Sequence, residues 1–295
     1  MSKTLTFFGS GPVAARSLEL LAVHFEIEAV ITKPQPPHHK EIFPVLAVAQ
    51  KLGLKVLETA DKNALEQLFL QKPVSSDIGV VIDYGILIPQ SVIDQFSLGI
   101  VNSHFSLLPR WRGADPISFA ILEGDQETGV SLMLIVAQLD EGPLLGQRSL
   151  HIAPDATTPS LTNELISLSD QLLTEMLPLY IDGQLQPQPQ SGNASYSLKL
   201  SKSDGLLDWH KPAAMLERQV RAYAEWPRSR TQIAGIDAVV TRAHVAGGVG
   251  EPGTIWRSEK EFGFYTAEGV LVIDRLIPSG KKEMTAEAFL AGHKI

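Results

Sequence analysis

The stretch Leu5-Thr-Phe-Phe-Gly-Ser-Gly-Pro-Val-Ala14 decides the fold, because an apolar run of strand character passes through a glycine turn into a helix. That helix is predicted to end near Val23, and residues 25–31 predict a second strand. The same alternation continues along the chain, with strands predicted at 54–57, 78–82 and 99–102 and helices at 45–51 and 61–70. Strands that alternate with helices form a parallel sheet with both faces covered, so an α/β domain is predicted first.

The rest of the chain follows a different pattern. The predicted elements are a helix at 114–123, a strand pair at 129–136 and 143–150, a long helix at 160–180 and a Gln- and Pro-rich surface linker at 183–191. Beyond Gly205, one helix at 213–223 precedes short strands that glycines interrupt and that end near Ile273, which is typical of a small antiparallel barrel. We therefore expect a first domain at 1–187, a linker at 188–204 and a second domain at 205–295.

The composition is that of an ordinary soluble globular protein, since 44% of the 295 residues are apolar and 20% are charged. No apolar run reaches the roughly 18 residues that a membrane span needs. The first residues lead directly into the first strand, so no signal peptide is expected. The chain has no cysteine, which excludes disulfides and thiolate chemistry, and we expect a cytoplasmic location.

The charge is unevenly distributed along the chain. The formal net charge of −8 argues against a general affinity for nucleic acid. Residues 1–198 hold 11 Lys and Arg against 21 Asp and Glu, whereas residues 199–295 hold 14 against 12. An RNA partner would therefore need a local basic patch, which the second part is better placed to supply.

A mixed group of polar residues follows the apolar run Leu98-Gly-Ile-Val101. Asn102 and His104 are two residues apart in an extended segment, so both side chains lie on one face, and Asp140 stands in a glycine-flanked turn 36 positions later. Ligands bind at the carboxyl ends of the strands in parallel sheets. A carboxylate can orient an imidazole, and an imidazole and an amide can both donate to an oxyanion, each contributing roughly 10²–10³ in rate. The set predicts acyl transfer to an amine that attacks directly.

Each of these features also has a simpler interpretation. A single histidine at a strand end is commonly structural. Two arginines such as Arg110 and Arg112 either belong to a solvated turn or contact phosphate at the rim of a site. Gly9-x-Gly11-x-x-Ala14 fits the dinucleotide fingerprint, but Thr32-Lys33-Pro34 stands where a dehydrogenase has the acid that holds the ribose. Such a turn more often lets a helix pack close to a strand.

Several motifs resemble those of the formyltransferases that use 10-formyltetrahydrofolate. In the first part these are Asn102-x-His104-x-Ser106-Leu-Leu-Pro109, Arg112-Gly113, Gly129-Val130 and Leu139-Asp140-x-Gly142. The motifs of the second part are similar to the members of the family that act on methionyl-tRNA: Tyr196-x-x-Lys199-Leu-x-Lys202, Asp208-Trp209, Arg221-Ala-Tyr223, Trp226-Pro227, Pro252-Gly-Thr-Ile255 and Gly280-Lys-Lys-x-Met284. The resemblance covers nearly the whole chain.

The resemblance implies a Rossmann-like, mostly parallel α/β domain followed by an OB-like β-barrel that helps to bind tRNA. It implies that Asn102, His104 and Asp140 are catalytic and that a monomeric enzyme passes the formyl group to the α-amine of initiator methionyl-tRNA without a metal. The folate site would be lined by Ser106, Leu107, Leu108 and Pro109. The basic residues expected to contact tRNA are Arg110, Arg112, Lys33, Lys40, Lys199 and Lys202.

Three features depart from the family's pattern. The loop at 33–43 is shorter and less basic than the family's tRNA-reading insertion, Asp83 stands where a small apolar residue is usual, and Phe105 follows His104 where Gly or Pro is common. Two alternative functions stay open. One is a folate-dependent formyltransferase acting on an amino-sugar nucleotide, which would need the same three catalytic residues. The other is a non-catalytic RNA- or folate-binding protein on the same fold.

Overall fold

The computed structural model describes residues 4–35 and 42–293. The strands, in chain order, are β1 (Thr4–Phe8), β2 (Glu26–Thr32), β3 (Val56–Glu58), β4 (Gly79–Val81), β5 (Ile100–His104), β6 (Arg112–Gly113), β7 (Glu127–Leu134), β8 (Leu144–His151), β9 (Tyr196–Ser197), β10 (Ser229–Ile233), β11 (Ile236–Ala246), β12 (Ile255–Arg257), β13 (Phe262–Tyr265), β14 (Val270–Pro278) and β15 (Met284–Thr285). The helices are α1 (Pro12–His24), α2 (Pro44–Lys51), α3 (Lys62–Phe69), α4 (Gln90–Ile93), α5 (Pro116–Glu123), α6 (Thr158–Ile181), α7 (Ala213–Ala222) and α8 (Ala286–Gly292), with a 3-10 turn at Lys202–Gly205.

The chain divides into two compact units whose segments alternate along the sequence. The first unit comprises residues 1–113, 128–150 and 162–196, and the second comprises 114–127, 151–161 and 197–295. Helix α5 belongs to the second unit, where Arg218 of α7 donates to the carbonyl of Leu122 over 2.8 Å. The domain boundaries at 187/188 and 204/205 stay a prediction.

Seven strands form the main sheet of the first unit, in the order β3-β2-β1-β4-β5-β7-β8. The strands from β3 to β5 pair in parallel, and β7 pairs with β5 in the antiparallel direction. The chain runs outward from β1 to β2 and β3 on one side and returns to β4 and β5 on the other. Such a reversal opens a crevice at the carboxyl ends of β1 and β4, where ligands bind in this class of fold.

The core on one face of this sheet is built around Phe8. Its ring lies 6.2 Å from that of Phe69, 5.7 Å from that of Tyr84 and 5.9 Å from that of Phe96. Residues 5–8 are all buried, as expected of a strand that is covered on both faces. This packing fixes the end of β1 and therefore the glycine turn that follows it.

Local sequence signals set several helix ends. Helix α1 begins at Pro12, whose missing N–H costs nothing in a first turn. Helix α3 begins after Asp61, whose carboxylate accepts from the N–H of Ala64 over 2.9 Å. Helix α5 is followed by a C-cap at Gly124, which adopts a left-handed φ of 75°.

The second unit contains a curled antiparallel sheet of six strands. The order is β10-β11-β14-β13-β12, with β15 paired to β14. The core of this unit contains the fully buried side chains of Leu216 in α7, Phe262 in β13 and Phe289 in α8. The predicted fold class, a mostly parallel Rossmann-like sheet followed by an antiparallel barrel-like sheet, is confirmed. Among the described residues, no helix has both the length and the apolar character needed to cross a membrane.

The strand series of the second unit extends beyond Ile273, where the sequence predicted it to end. Strand β14 continues to Pro278, and β15 and α8 follow. Helix α8 is capped by Thr285, whose hydroxyl accepts from the N–H of Ala288 over 3.3 Å. Elements as short as β6, β9 and α4 carry too few residues for any periodicity to show.

The carboxylate of Glu28 in β2 provides a test of the first unit's stability. It accepts from the N–H of Ser75 at 2.7 Å and from the N–H of Ser76 at 2.7 Å. Burial alone would raise the pKa of Glu28, but the hydrogen bonds from Ser75 and Ser76 lower it below its ordinary value. Because the folded pKa is the lower one, the stabilisation is present above the unfolded pKa of about 4.3 and is lost as pH falls through the folded value.

Glu28→Gln should therefore lower the free energy of unfolding at pH 7 by about 1 kcal/mol, as expected for partly solvated charged hydrogen bonds. The difference should shrink as the pH is lowered toward 3. Urea unfolding at both pH values measures it, with exposed Glu164→Gln as the control. An equal loss at both pH values would show that the charge of Glu28 is not what stabilises the unit.

Candidate active site

Strand β5 carries Asn102 and His104 into the middle of the main sheet. Asn102 lies between Val81 of β4 and Met133 of β7. The intervening Ser103 points to the opposite face, where its hydroxyl lies 2.7 Å from that of Ser169 in α6. Because side chains alternate along a strand, Asn102 and His104 share the face away from α6. This placement agrees with the expectation that both residues act on the same side.

The imidazole of His104 is anchored by the backbone. Its Nε2 lies 2.9 Å from the carbonyl oxygen of Trp111, and only 7% of the residue is exposed. A carbonyl can only accept, so Nε2 carries a proton and donates it to this bond. Nδ1 therefore points toward Asp140, whose Oδ2 lies 3.8 Å away. That distance is too long for a hydrogen bond, so the two groups are neighbours and the orientation of His104 by Asp140 stays a prediction.

The carboxylate of Asp140 is also held by the backbone. Its Oδ2 accepts from the N–H of Gly113 over 2.7 Å, and the residue is 8% exposed. Asp140 itself has a φ of 52°, in the left-handed region that residues other than glycine rarely adopt. At Gly142, a Cβ would collide with the carbonyl of Leu134, so the glycine of the Asp140-x-Gly142 motif is required for the turn to approach β7.

One short segment thus holds both catalytic candidates, because the carbonyl of Trp111 and the N–H of Gly113 are only two residues apart. Asn102 differs from them. It is half-buried, and its side chain forms no hydrogen bond with any described residue. An amide donor without a protein partner next to an anchored imidazole and a carboxylate is the arrangement that oxyanion stabilisation requires.

The guanidinium of Arg112 is used within the first unit. Its Nε and one terminal nitrogen donate to Oε1 of Gln190 over 3.2 and 2.8 Å, and the other terminal nitrogen donates to Glu141 over 2.8 Å. Gln190 in turn donates to the carbonyls of Asp140 and Gly142 over 2.8 and 2.9 Å. The side chain of Arg112 is only 12% exposed. The structure therefore places Arg112 in a hydrogen-bonded brace, formed with Gln190, of the turn at 140–142, where the sequence suggested a contact with RNA.

Ser195 holds the backbone of the segment at 111–113. Its hydroxyl accepts from the N–H of Trp111 over 3.0 Å, and its carbonyl accepts from the N–H of Arg112 over 2.9 Å. Gln190 and Ser195 were both missed by sequence reasoning, because Gln–Pro alternation is typical of a solvated linker. The sequence feature that could have indicated an ordered backbone here was Pro189, because a proline restricts the backbone just before Gln190.

The four residues expected to line the folate site form a turn that is supported from inside. Ser106 is fully buried, and its hydroxyl donates to the carbonyl of Arg110 over 2.6 Å. Leu108 is buried, and its N–H donates to the hydroxyl of Ser131 over 2.9 Å. Leu107 and Pro109 are half-buried. Any contact of this turn with a ligand therefore comes from Leu107, Pro109 and the peptide groups, since the Ser106 hydroxyl already has a partner.

The other basic candidates are on the surface of their own units. In the first unit, the guanidinium of Arg110 lies over the ring of Trp111 at 4.3 Å from its centroid. Lys33 extends its ammonium group over Gly85, where a Cβ would lie 2.7 Å from Nζ. In the second unit, Lys199 and Lys202 are exposed. Lys40 lies outside the described residues.

Gly9 and Gly11 allow their neighbours to pack close to the turn between β1 and α1. A Cβ at Gly9 would come within 2.6 Å of the Cβ of Ala14, and one at Gly11 would collide with the carboxylate of Asp83. The carboxyl group of Asp83 thus lies beside the start of α1, where a dinucleotide would place its own phosphates. Both observations favour the packing interpretation over a nicotinamide site.

Of the other two departures, Phe105 is a core residue with 7% of its surface exposed. The loop at 33–43 lies partly outside the described residues, since residues 36–41 are not among them. Within 4–35 and 42–293, no group of three or more His, Asp or Glu side chains is arranged to hold a metal ion.

Comparison with known proteins identifies the family. Residues 17–177 match the formyl transferase family, and residues 199–294 match the formyl transferase C-terminal domain. The methionyl-tRNA formyltransferase of Myxococcus xanthus is 38% identical over 298 residues, covering 99% of this chain and 95% of the relative. That of Roseiflexus castenholzii is 37% identical over 308 residues, covering 100% and 97%. The chain belongs to the methionyl-tRNA formyltransferase family.

Solved structures outside the methionyl-tRNA formyltransferases share the fold. The N-formyltransferase from Helicobacter canadensis, in complex with folinic acid and dTDP-3-aminofucose, has a TM-score of 0.70 and 19% identity, covering 96% of this chain and 100% of that one. HypX from Aquifex aeolicus, in complex with tetrahydrofolic acid, has a TM-score of 0.66 and 16% identity, covering 98% of this chain and 46% of that one. At these identities the likeness shows the fold alone.

The anchor on His104 predicts which tautomer the neutral ring adopts in this methionyl-tRNA formyltransferase homologue. Because Nε2–H is bonded to the Trp111 carbonyl, the proton of the neutral ring should reside on Nε2. Nitrogen-15 NMR of the labelled protein should show Nε2 protonated and Nδ1 unprotonated in the neutral ring. Exposed His210, whose ring has no described hydrogen bond, provides the reference for a mixed tautomer population. A neutral His104 ring protonated on Nδ1 would contradict the anchored geometry.

Proposed function

We propose that the chain transfers a formyl group from 10-formyltetrahydrofolate to the α-amine of initiator methionyl-tRNA, acting as a cytoplasmic monomer. The observation that carries the proposal is the approach of His104 to Asp140 at the end of β5, with the Asn102 amide on the same face. These are the three groups that transfer of an acyl group to an amine needs, and no enzyme nucleophile is required.

The reaction begins when the lone pair of the methionyl amine forms a bond to the formyl carbon. The carbonyl π electrons move to the formyl oxygen, which becomes an oxyanion. The oxyanion then re-forms the carbonyl and the bond from carbon to folate N10 breaks, its electron pair remaining on N10. One proton leaves the attacking amine and one proton arrives at N10, so no proton is gained or lost overall.

The roles of the side chains follow from their anchors. Nε2 of His104 is occupied by the Trp111 carbonyl, so Nδ1 is the nitrogen that donates to the oxyanion together with the Asn102 amide. Nδ1–H is then present in the doubly protonated ring, whose charge Asp140 balances from 3.8 Å. The same carboxylate is placed to take the amine proton and pass it toward N10.

The turn at 106–109 offers a folate an apolar and peptide surface. The half-buried side chains of Leu107 and Pro109 supply apolar contact, while the internal bonds of Ser106 and Leu108 keep the turn rigid. This assignment narrows the predicted folate contacts to Leu107, Pro109 and backbone groups. The mechanism requires no metal.

The tRNA contacts are assigned to basic residues of each unit. Exposed Arg110 and half-buried Lys33 supply positive charge in the first unit, and exposed Lys199 and Lys202 supply it in the second. Lys40 keeps its sequence-based assignment. Arg112 is left out, since its guanidinium already binds Glu141 and Gln190.

A competition between acceptors tests the activity. The purified chain, supplied with 10-formyltetrahydrofolate, should formylate charged initiator tRNA and leave a dTDP-linked amino sugar unmodified. His104→Ala should fold and bind folate but lose turnover by roughly 10²–10⁴, the usual contribution of a proton-transferring group. Transfer to the sugar nucleotide alone would support the amino-sugar alternative. Transfer to neither acceptor would support the non-catalytic alternative.

The dependence of tRNA affinity on salt tests the lysine assignment. Each lysine that contacts a phosphate adds about 1 to the slope of log affinity against log salt concentration. Replacing both Lys199 and Lys202 by Gln should therefore weaken tRNA binding and reduce that slope by about 2. Exposed Lys62→Gln serves as the control. An unchanged slope in the double variant would remove these two lysines from the interface.

A further inference from the structure

We propose that Gln190 is a positioning residue for Asp140, and that its side-chain amide fixes the catalytic turn from the segment that precedes Ser195. The proposal rests on the proposed function in that it concerns the rate of formyl transfer. Gln190 lies 50 positions from Asp140 and lies in the stretch that the sequence predicted to be a solvated linker.

The amide of Gln190 uses its full capacity for hydrogen bonding inside the protein. Its Nε2 donates to the carbonyls of Asp140 and Gly142 over 2.8 and 2.9 Å. Its Oε1 accepts twice from Arg112, over 3.2 and 2.8 Å. A primary amide offers two donors and one oxygen with two lone pairs, so nothing remains for a substrate. Gln190 can therefore influence the reaction only through the groups it holds.

Those groups belong to a turn that needs support. Asp140 has a φ of 52°, a conformation that persists in non-glycine residues when the surroundings hold it in place. The two donors of Gln190 bind the carbonyl of Asp140 itself and that of the residue two positions on. Gln190 thereby fixes both sides of the peptide segment from which the carboxylate projects toward Nδ1 of His104.

Arg112 connects Gln190 to the neighbouring residue of Asp140. Its guanidinium binds Gln190 and also binds the carboxylate of Glu141 over 2.8 Å. This bond pairs the charge of Glu141 with the guanidinium of Arg112. The backbone of Arg112 adjoins Trp111 and Gly113, which hold His104 and Asp140. Gln190 and Arg112 therefore connect the two segments that set the distance between the catalytic groups.

The rate of the chemical step should depend on this brace more than substrate binding does. Gln190→Ala should lower the single-turnover rate of formyl transfer by roughly 10- to 100-fold, the effect expected when a catalytic group is misplaced by about 1 Å. The KM for tRNA and for the folate should change little. The matched control is Gln188→Ala, because the exposed side chain of Gln188 donates only to the nearby carbonyl of Gln186. That variant should keep the wild-type rate.

Gln190→Glu distinguishes the role of the donating amide nitrogen from that of the accepting amide oxygen. A carboxylate keeps one oxygen as the acceptor for Arg112 but turns its other oxygen, which repels them, toward the carbonyls of Asp140 and Gly142. If the donors position the turn, Gln190→Glu should lose as much rate as Gln190→Ala. Retention of the rate in Gln190→Glu would overturn the proposal, because holding Arg112 would then be sufficient. The near-isosteric change also allows the test if Gln190→Ala does not fold.

A measurement without substrate keeps this proposal separate from the proposed function. In the folded protein, the nitrogen-15 shifts of the His104 ring and the carbon-13 shift of the Asp140 carboxyl report their approach. Both sets of shifts should change in Gln190→Glu and stay at wild-type values in Gln188→Ala. Unchanged shifts in Gln190→Glu would overturn the positioning role even if the wild-type chain formylates no acceptor. Inactivity of the wild-type chain with changed shifts would instead count against the proposed substrates alone.

Discussion

The site depends on two backbone groups of one short segment, the carbonyl of Trp111 and the N–H of Gly113. The first fixes the ring of His104 over 2.9 Å and the second fixes the carboxylate of Asp140 over 2.7 Å. Backbone groups move only when the chain moves, so this arrangement leaves the two side chains little freedom of their own. The surrounding brace, through Ser195, Gln190 and Arg112, keeps the segment itself in place.

The sequence was sufficient to predict the architecture, because strongly apolar strands and amphipathic helices have periods that can be read directly. The parallel strands from β1 to β5, the cap at Asp61 and the antiparallel second sheet all follow from such local patterns. Helix α8 was missed, although Thr285 and the apolar residues after it offered a cap and a periodic stretch. Elements of two to four residues offered no comparable signal.

The trio of candidate residues, Asn102, His104 and Asp140, could be chosen from the sequence because its members stand at a strand end and in a glycine-flanked turn, and its catalytic role stays a prediction. The partners of the trio were not predicted. Gln190 and Ser195 act through contacts 50 and 84 positions away in sequence, and no local pattern encodes such contacts. The positive charge of Arg112 suggested a contact with phosphate. In the structure its guanidinium instead donates to Gln190 and Glu141 of the first unit, and no local pattern in the sequence indicated these partners.

The most direct test of the central claim is the single-turnover rate of formyl transfer to charged initiator tRNA by Asp140→Asn. Asparagine tolerates the left-handed turn and still offers an oxygen to the N–H of Gly113, so the fold and folate binding should survive. It cannot carry the charge that balances His104 or take the amine proton. A rate at least about 100-fold below wild type is expected, in line with the usual contribution of acid–base catalysis. A rate close to wild type, with the protein folded, would contradict this role of the Asp140 carboxylate.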